Sequence, residues 1–134
     1  MALALTPRSR SIAFAFAVLC LASSVVAVTV HANDGAKAGA NIFESYCADC
    51  HSVKAAKHKS GPSLYGVIGR QSGSADGYVY SDAMRGANLV WTPETLDTFL
   101  TSPKDLVAKT KMRYGGLTNP QARADLLAFL AEQK

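Results

Sequence analysis

The run Cys47-Ala48-Asp49-Cys50-His51 constrains this chain more than any other feature. Two thiols three residues apart on a helical turn face the same way, and an imidazole follows at once. Three chemistries use two cysteines at that spacing. One is covalent attachment of heme, with the thiols added to the vinyl groups and the imidazole on the iron. Another is a thioredoxin-like redox pair, which needs a strand–helix–strand context. The third is half a zinc site, which needs about two further Cys or His ligands at related spacing. Zinc fails on ligand supply, because past His51 the chain holds only His58 and no second cysteine pair. The redox pair fails on context, because Gly35 to Tyr46 reads as a helix with Ile42, Phe43 and Tyr46 on one face. A fortuitous match closed by a plain disulfide is the bland alternative. Heme attachment is the stronger reading, and it calls for a fold wrapped around a cofactor.

The first 32 residues read as a targeting segment. Arg8 and Arg10 precede an uncharged run from Ile12 to Val30, and Val30-His31-Ala32 offers small residues at the −3 and −1 positions of a cleavage site. Cys20 lies inside that run and leaves with it; the bulky Leu19 before it argues against a lipoprotein site. A run of this length also approaches the ~20 residues that span a bilayer, so an uncleaved anchor at 11–30 is the competing expectation. Either way the domain at 33–134 is exported, which in a bacterium means the periplasmic side. Removing the leader leaves 102 residues, with 12 basic against 10 acidic side chains. Composition then excludes a disordered tail and a strongly basic nucleic-acid binder, since 49 % of residues are hydrophobic and 18 % charged. A domain of about 100 residues buries only about two-thirds of its unfolded surface, so a large apolar cofactor would add considerably to its core.

Iron bound by His51 needs a ligand on its other face. His58 lies only seven residues on, too near to cross the heme plane readily. Met112 sits in the polar, glycine-ended stretch Lys109-Thr110-Lys111-Met112-Arg113-Tyr114-Gly115-Gly116, where packing gives a methionine no reason to be. It is the better candidate, and Met84 is a distant second. Both cysteines, His51 and Met112 thus form the expected cofactor site, with His51 and Met112 on the metal. Met/His ligation raises the reduction potential.

The remaining pattern is all-α. A first helix is expected from about Gly35 to Cys50. A second starts after the cap Thr92 with Pro93 in its first turn and ends near Ser102-Pro103. A third follows Asn119-Pro120 and carries Leu126, Leu127, Phe129 and Leu130. The glycines and turns between Ser52 and Val90 suit loops rather than a sheet.

From Gly39 to the C-terminus the chain resembles the class I cytochromes c, in the mitochondrial cytochrome c and bacterial cytochrome c2 subgroup. The matching stretches include Gly39 to Phe43, the cysteine motif, Gly61-Pro62-Ser63-Leu64-Tyr65-Gly66, Gly69-Arg70, Tyr78 to Ala83, Trp91, Thr110-Lys111-Met112 and Arg123 to Leu130. The resemblance implies the cytochrome c fold: three main helices plus a short helix and loops around one heme c attached through Cys47 and Cys50. It implies that the Pro62 carbonyl accepts the His51 Nδ1–H, which orients the imidazole. It also implies that Arg70, Tyr80 and Trp91 bond a buried propionate, with Ser81 and Thr110 as lesser candidates there and at the crevice. The first and last helices should cross at Gly39, with Phe43 near Phe129. Two positions depart from the family pattern. Phe99 replaces a tyrosine that bonds the ligand sulfur, and Met84 replaces an asparagine that holds buried water. The drier pocket raises the potential, while the freed sulfur lowers it.

A heme with both axial positions filled leaves no site for substrate. The expectation is therefore no enzyme but a monomeric one-electron shuttle between redox proteins such as oxidases, bc1-type complexes, reaction centres or dehydrogenases. Nucleic acid has no role, and membrane contact requires the leader to be retained. Lys54, Lys57, Lys59, Lys104, Lys109, Lys111 and Arg113 would form a basic ring that steers acidic partners, diluted by Asp105 and Tyr46. The rivals are a carrier anchored on the periplasmic side of the inner membrane, a dedicated acceptor for one dehydrogenase, and a heme sensor or peroxidase in which Met112 leaves the iron.

Overall fold

The computed structural model describes residues 32–134. The leader reading, with Cys20, the cleavage site and the anchor alternative, lies outside the described residues. Five helices follow in order: α1 (Ala32–Tyr46), α2 (Asp82–Gly86), α3 (Pro93–Thr101), α4 (Pro103–Leu106) and α5 (Pro120–Ala131). Among the described residues the only β pairing is an isolated antiparallel bridge between Gln71 and Val90. No described helix is long and apolar enough to cross a membrane.

The caps place α3 and α5 where the sequence predicts them. Thr92 accepts from the Thr95 N–H, and Asn119 accepts from the N–H groups of Gln121 and Ala122. In both helices proline takes the first position, where its missing N–H costs no intrahelical bond. The first helix differs from expectation. It already spans Ala32 at the edge of the described residues and stops at Tyr46, because Cys47 and Ala48 both donate to the Phe43 carbonyl, at 2.8 and 2.9 Å, and the chain then leaves the helix in turns. A second correction concerns the short elements. There are two of them among the described residues, since Ser81 caps α2 and Pro103 opens α4 two residues after α3 ends.

The principal contact joins the two ends of the described chain. Helix α1 buries Ala36, Gly39 and Phe43, spaced three and four residues apart, and α5 answers with Leu126 and Leu130. Gly39 makes the approach possible. A Cβ built there would stand 2.7 Å from the Phe129 Cβ and run into the Asp125 backbone. Phe43 and Phe129 pack with ring centroids 5.5 Å apart. Helix α3 contributes Leu96, Phe99 and Leu100 to the same core, and Trp91 lies against Phe99 at 5.0 Å. Full burial of such side chains stabilises the fold by about 1.5–3 kcal/mol each.

One polar contact tightens this core. Arg123 on α5 reaches Asp97 on α3 at 2.6 Å and donates to the carbonyls of Leu117 (2.8 Å) and Thr118 (3.1 Å). Its side chain is 11 % exposed, so those partners satisfy a cation that burial would otherwise penalise.

Candidate functional site

The cysteine motif occupies the turns after α1. Cys47 is half-buried and Cys50 exposed, and the two are not joined by a disulfide. Burial, then the neighbouring Cys50, pushes the Cys47 thiol up to about 11, so it stays protonated at neutral pH. His51 returns toward the interior and donates through Nδ1 to the Pro62 carbonyl at 2.7 Å. A carbonyl only accepts, so the proton sits on Nδ1 and Nε2 keeps its lone pair. Burial lowers the imidazole's proton affinity, the Pro62 bond raises it in part, and the Lys59 charge lowers it again.

The next loop is moulded onto this ring. A Cβ on Gly61 would stand 2.7 Å from His51 Nδ1 and 2.9 Å from Nε2, so no other residue fits without moving the imidazole. The Gly61 N–H donates to the Cys50 carbonyl at 2.7 Å, and Lys59 Nζ donates to the Ala48 carbonyl. His58, the discarded iron ligand, ties loops instead: it accepts from the Ser63 N–H at 3.0 Å and meets the Asp76 carbonyl at 2.8 Å. Sequence reasoning gives Gly61 no role of its own and Lys59 only a place in the basic ring. The Gly-Pro pair is visible, but the ring beneath it is not.

Arg70 and Trp91 come together through backbone pairing. Trp91 N donates to the Arg70 carbonyl and Gly69 N to the Trp91 carbonyl, both at 2.9 Å. Arg70 spends two donors on the carbonyls of Tyr65 (3.0 Å) and Ser63 (2.9 Å). Its Nε is buried with no partner, which leaves one cationic donor suited to an anionic acceptor supplied from outside the chain. Burial raises the Tyr80 hydroxyl's proton affinity and the positive charge of Arg70 lowers it in part. Ser81 is diverted, since its oxygen caps α2 by accepting from Met84 N at 3.2 Å.

Met112 lies on the segment between α4 and α5, partly buried against the same apolar cluster that receives Cys47, Tyr80 and Trp91. Its N–H donates to Thr110 Oγ1 at 3.3 Å. Both ends of the segment are pinned. Val107 is buried before it, and Leu117 N donates to the Leu100 carbonyl at 2.8 Å after it. Gly116 closes that contact with φ +107°, a conformation that glycine adopts without strain. Met84 and Phe99 are both buried in the core cluster, so packing accounts for Met84 and it is not held in a loop as Met112 is.

The cytochrome c family model matches residues 36–134, which takes in every one of these groups. The chain belongs to the cytochrome c family. It is similar to cytochrome c of Arabidopsis thaliana, 46 % identical over 99 residues that cover 73 % of this chain and 88 % of that protein. Cytochrome c of Gossypium barbadense is 49 % identical over 98 residues, with 72 % and 88 % covered. Cytochrome c of Theileria parva is 44 % identical over 106 residues, with 78 % and 90 % covered. As a cytochrome c the chain is an electron carrier with heme c, and Cys47 and Cys50 of the attachment motif hold it. The site suits that group: unbridged thiols, an oriented imidazole and a buried Arg70 donor without a partner.

Proposed function

We propose that this cytochrome c is a periplasmic one-electron carrier whose heme iron is held by His51 and Met112. The observation that carries the reading is the His51–Pro62 bond at 2.7 Å, backed by Gly61. It fixes the tautomer that leaves Nε2 as the ligating atom and strengthens it as a donor. Bound heme supplies a one-electron iron couple.

The chain's own residues prepare that couple. Met112, with a soft sulfur and a segment anchored at both ends, is the partner ligand. Arg70 Nε would take a propionate and compensate its buried charge, with Tyr80 and Trp91 as further donors. Thr110 sets the turn that presents Met112. His51 and Met112 would hold the iron and leave it no place for substrate, so the protein would pass electrons without being an enzyme. Seven cations and one acid, Asp105, lie in segments 51–61 and 104–113, and all seven cations are exposed. That surface steers the carrier to acidic patches on oxidases, bc1-type complexes, reaction centres or dehydrogenases. Residues 1–32 act as the export signal for the domain at 33–134, and N-terminal sequencing of purified protein tests their removal.

Spectroscopy of a Met112→Ala variant tests the ligand assignment. The weak iron–methionine sulfur absorption band of the oxidised protein should vanish and the reduction potential should fall. An unchanged band in that variant refutes Met112 and returns Met84 to consideration.

A further inference from the structure

The segment that carries Met112 has few bonds of its own. Among the described residues, the backbone N–H groups of residues 113–116 find no hydrogen-bond partner, and Met112 N reaches only the Thr110 hydroxyl. Three residues before Met112, Lys109 takes φ +64°, a left-handed conformation that persists in a non-glycine residue only where its surroundings impose it. The segment is held from outside, and its far end shows by what. Leu117 N donates to the Leu100 carbonyl on α3, and Gly116 lies so close to the Thr101 carbonyl that a Cβ would run into it. The carbonyls of Leu117 and Thr118 both accept from Arg123 Nη1, at 2.8 and 3.1 Å. On the other edge of that guanidinium lies the Asp97 carboxylate, 2.6 Å from Nε and 3.5 Å from Nη2. One side chain on α5 thus ties α3 to the end of the methionine segment.

We infer that Arg123, aimed by Asp97, is a positioning residue for Met112: the ion pair latches the far end of the segment and sets how often the sulfur leaves the iron. The inference rests on the reading of Met112 as a ligand and names what keeps it in place. A two-point grip on a carboxylate fixes the guanidinium plane, and that plane points Nη1 at the two carbonyls. The Arg123 side chain is only 11 % exposed. Without the Asp97 charge it is a cation in a poorly hydrated place, and it gains by turning to water and releasing both carbonyls. The apolar core of Phe43, Leu96, Leu100, Leu126 and Leu130 makes no use of those bonds. Loss of the latch therefore opens the segment locally before it unfolds the helices.

The test titrates the oxidised, heme-loaded protein with free imidazole, which takes the methionine's place on the iron. Imidazole binds only the open form, so its apparent Kd falls by the factor by which the open fraction rises. Asp97→Asn keeps the shape and removes the charge. It should tighten imidazole binding about tenfold, the fold-change of one charge-assisted hydrogen bond. Gly39→Ala, which weakens the α1–α5 crossing instead, should leave the Kd within about twofold at 25 °C. In a Met112→Ala background Asp97→Asn should add nothing, because no sulfur is left to displace. An unchanged Kd in Asp97→Asn overturns the latch. So does an equal gain in Gly39→Ala, which would trace the effect to general loosening, and so does an undiminished effect in the Met112→Ala background. If Met112→Ala loses the iron–methionine sulfur band while Asp97→Asn leaves the Kd alone, the latch falls and the ligand reading stands. If Met112→Ala keeps the band, the ligand reading falls and the latch with it.

Discussion

A methyl group at Gly39 measures how tightly α1 and α5 cross. Alanine is the better helix former by about 1 kcal/mol, so in a free helix Gly39→Ala is stabilising. Here the new Cβ meets the Asp125 carbonyl carbon at 2.6 Å and the Phe129 Cβ at 2.7 Å, and the first of these is backbone that cannot rotate away. Overpacking of this kind costs about 1–3 kcal/mol, and contact with backbone puts it at the upper end. The net loss is then about 2 kcal/mol. For a domain of about 100 residues each kcal/mol moves Tm by about 4–8 °C, so Tm should fall by about 8–16 °C. Gly35→Ala is the control on the same helix. Its Cβ would meet only Asp125 Oδ1 at 3.4 Å and the Ala128 Cβ at 3.9 Å, ordinary contacts, and its Tm should hold or rise by several degrees. Thermal unfolding of the heme-loaded proteins, followed by circular dichroism, reads both. Equal Tm values for the two variants would refute the steric account.

Gly61→Ala should tilt the His51 ring away from the Pro62 carbonyl; a loss of low-spin character in the oxidised absorption spectrum checks this, and an unperturbed spectrum counts against the cradle. Asp97→Ala leaves Arg123 with its two carbonyls but no counter-charge. Because the Asp97 side chain is 42 % exposed, the loss should be about 1–2 kcal/mol, below that of a fully buried pair, and denaturant midpoints measure it. Glu94 is depressed by its own backbone N–H at the start of α3 and by Thr92. A depressed carboxyl stabilises the fold above its unfolded-state value and loses that contribution as pH falls through the folded one. Glu94→Gln should therefore flatten the acid limb of the stability profile below about pH 4.5 and leave the alkaline limb unchanged, as unfolding midpoints across pH would show.

Local chemistry made α3 and α5 legible. Thr92-Pro93 and Asn119-Pro120 are start signals whose partners lie within three residues. The cysteine motif is equally local, and it told more about the site than the rest of the chain together. Where α1 ends was not legible. No glycine or proline follows Tyr46, and the stop comes from two N–H groups sharing the Phe43 carbonyl. Non-local geometry hid the rest. Gly61 is constrained by a ring ten residues earlier, and Arg123 finds Asp97 across 26 residues. Ser81 looked like a ligand-facing hydroxyl, whereas its oxygen serves a five-residue helix that periodicity is too short to reveal.

The pairing of α1 with α5 also dictates an order of events. The Gly66 N–H donates to the Gln133 carbonyl at 2.6 Å, so even the last residues hold an early loop in place. A chain whose helix α1 must wait for its final dozen residues cannot close this core until those residues are present. Cys47 and Cys50 lie inside the loop of some eighty residues that this pairing closes, and closing it carries an entropic cost that grows slowly with its length.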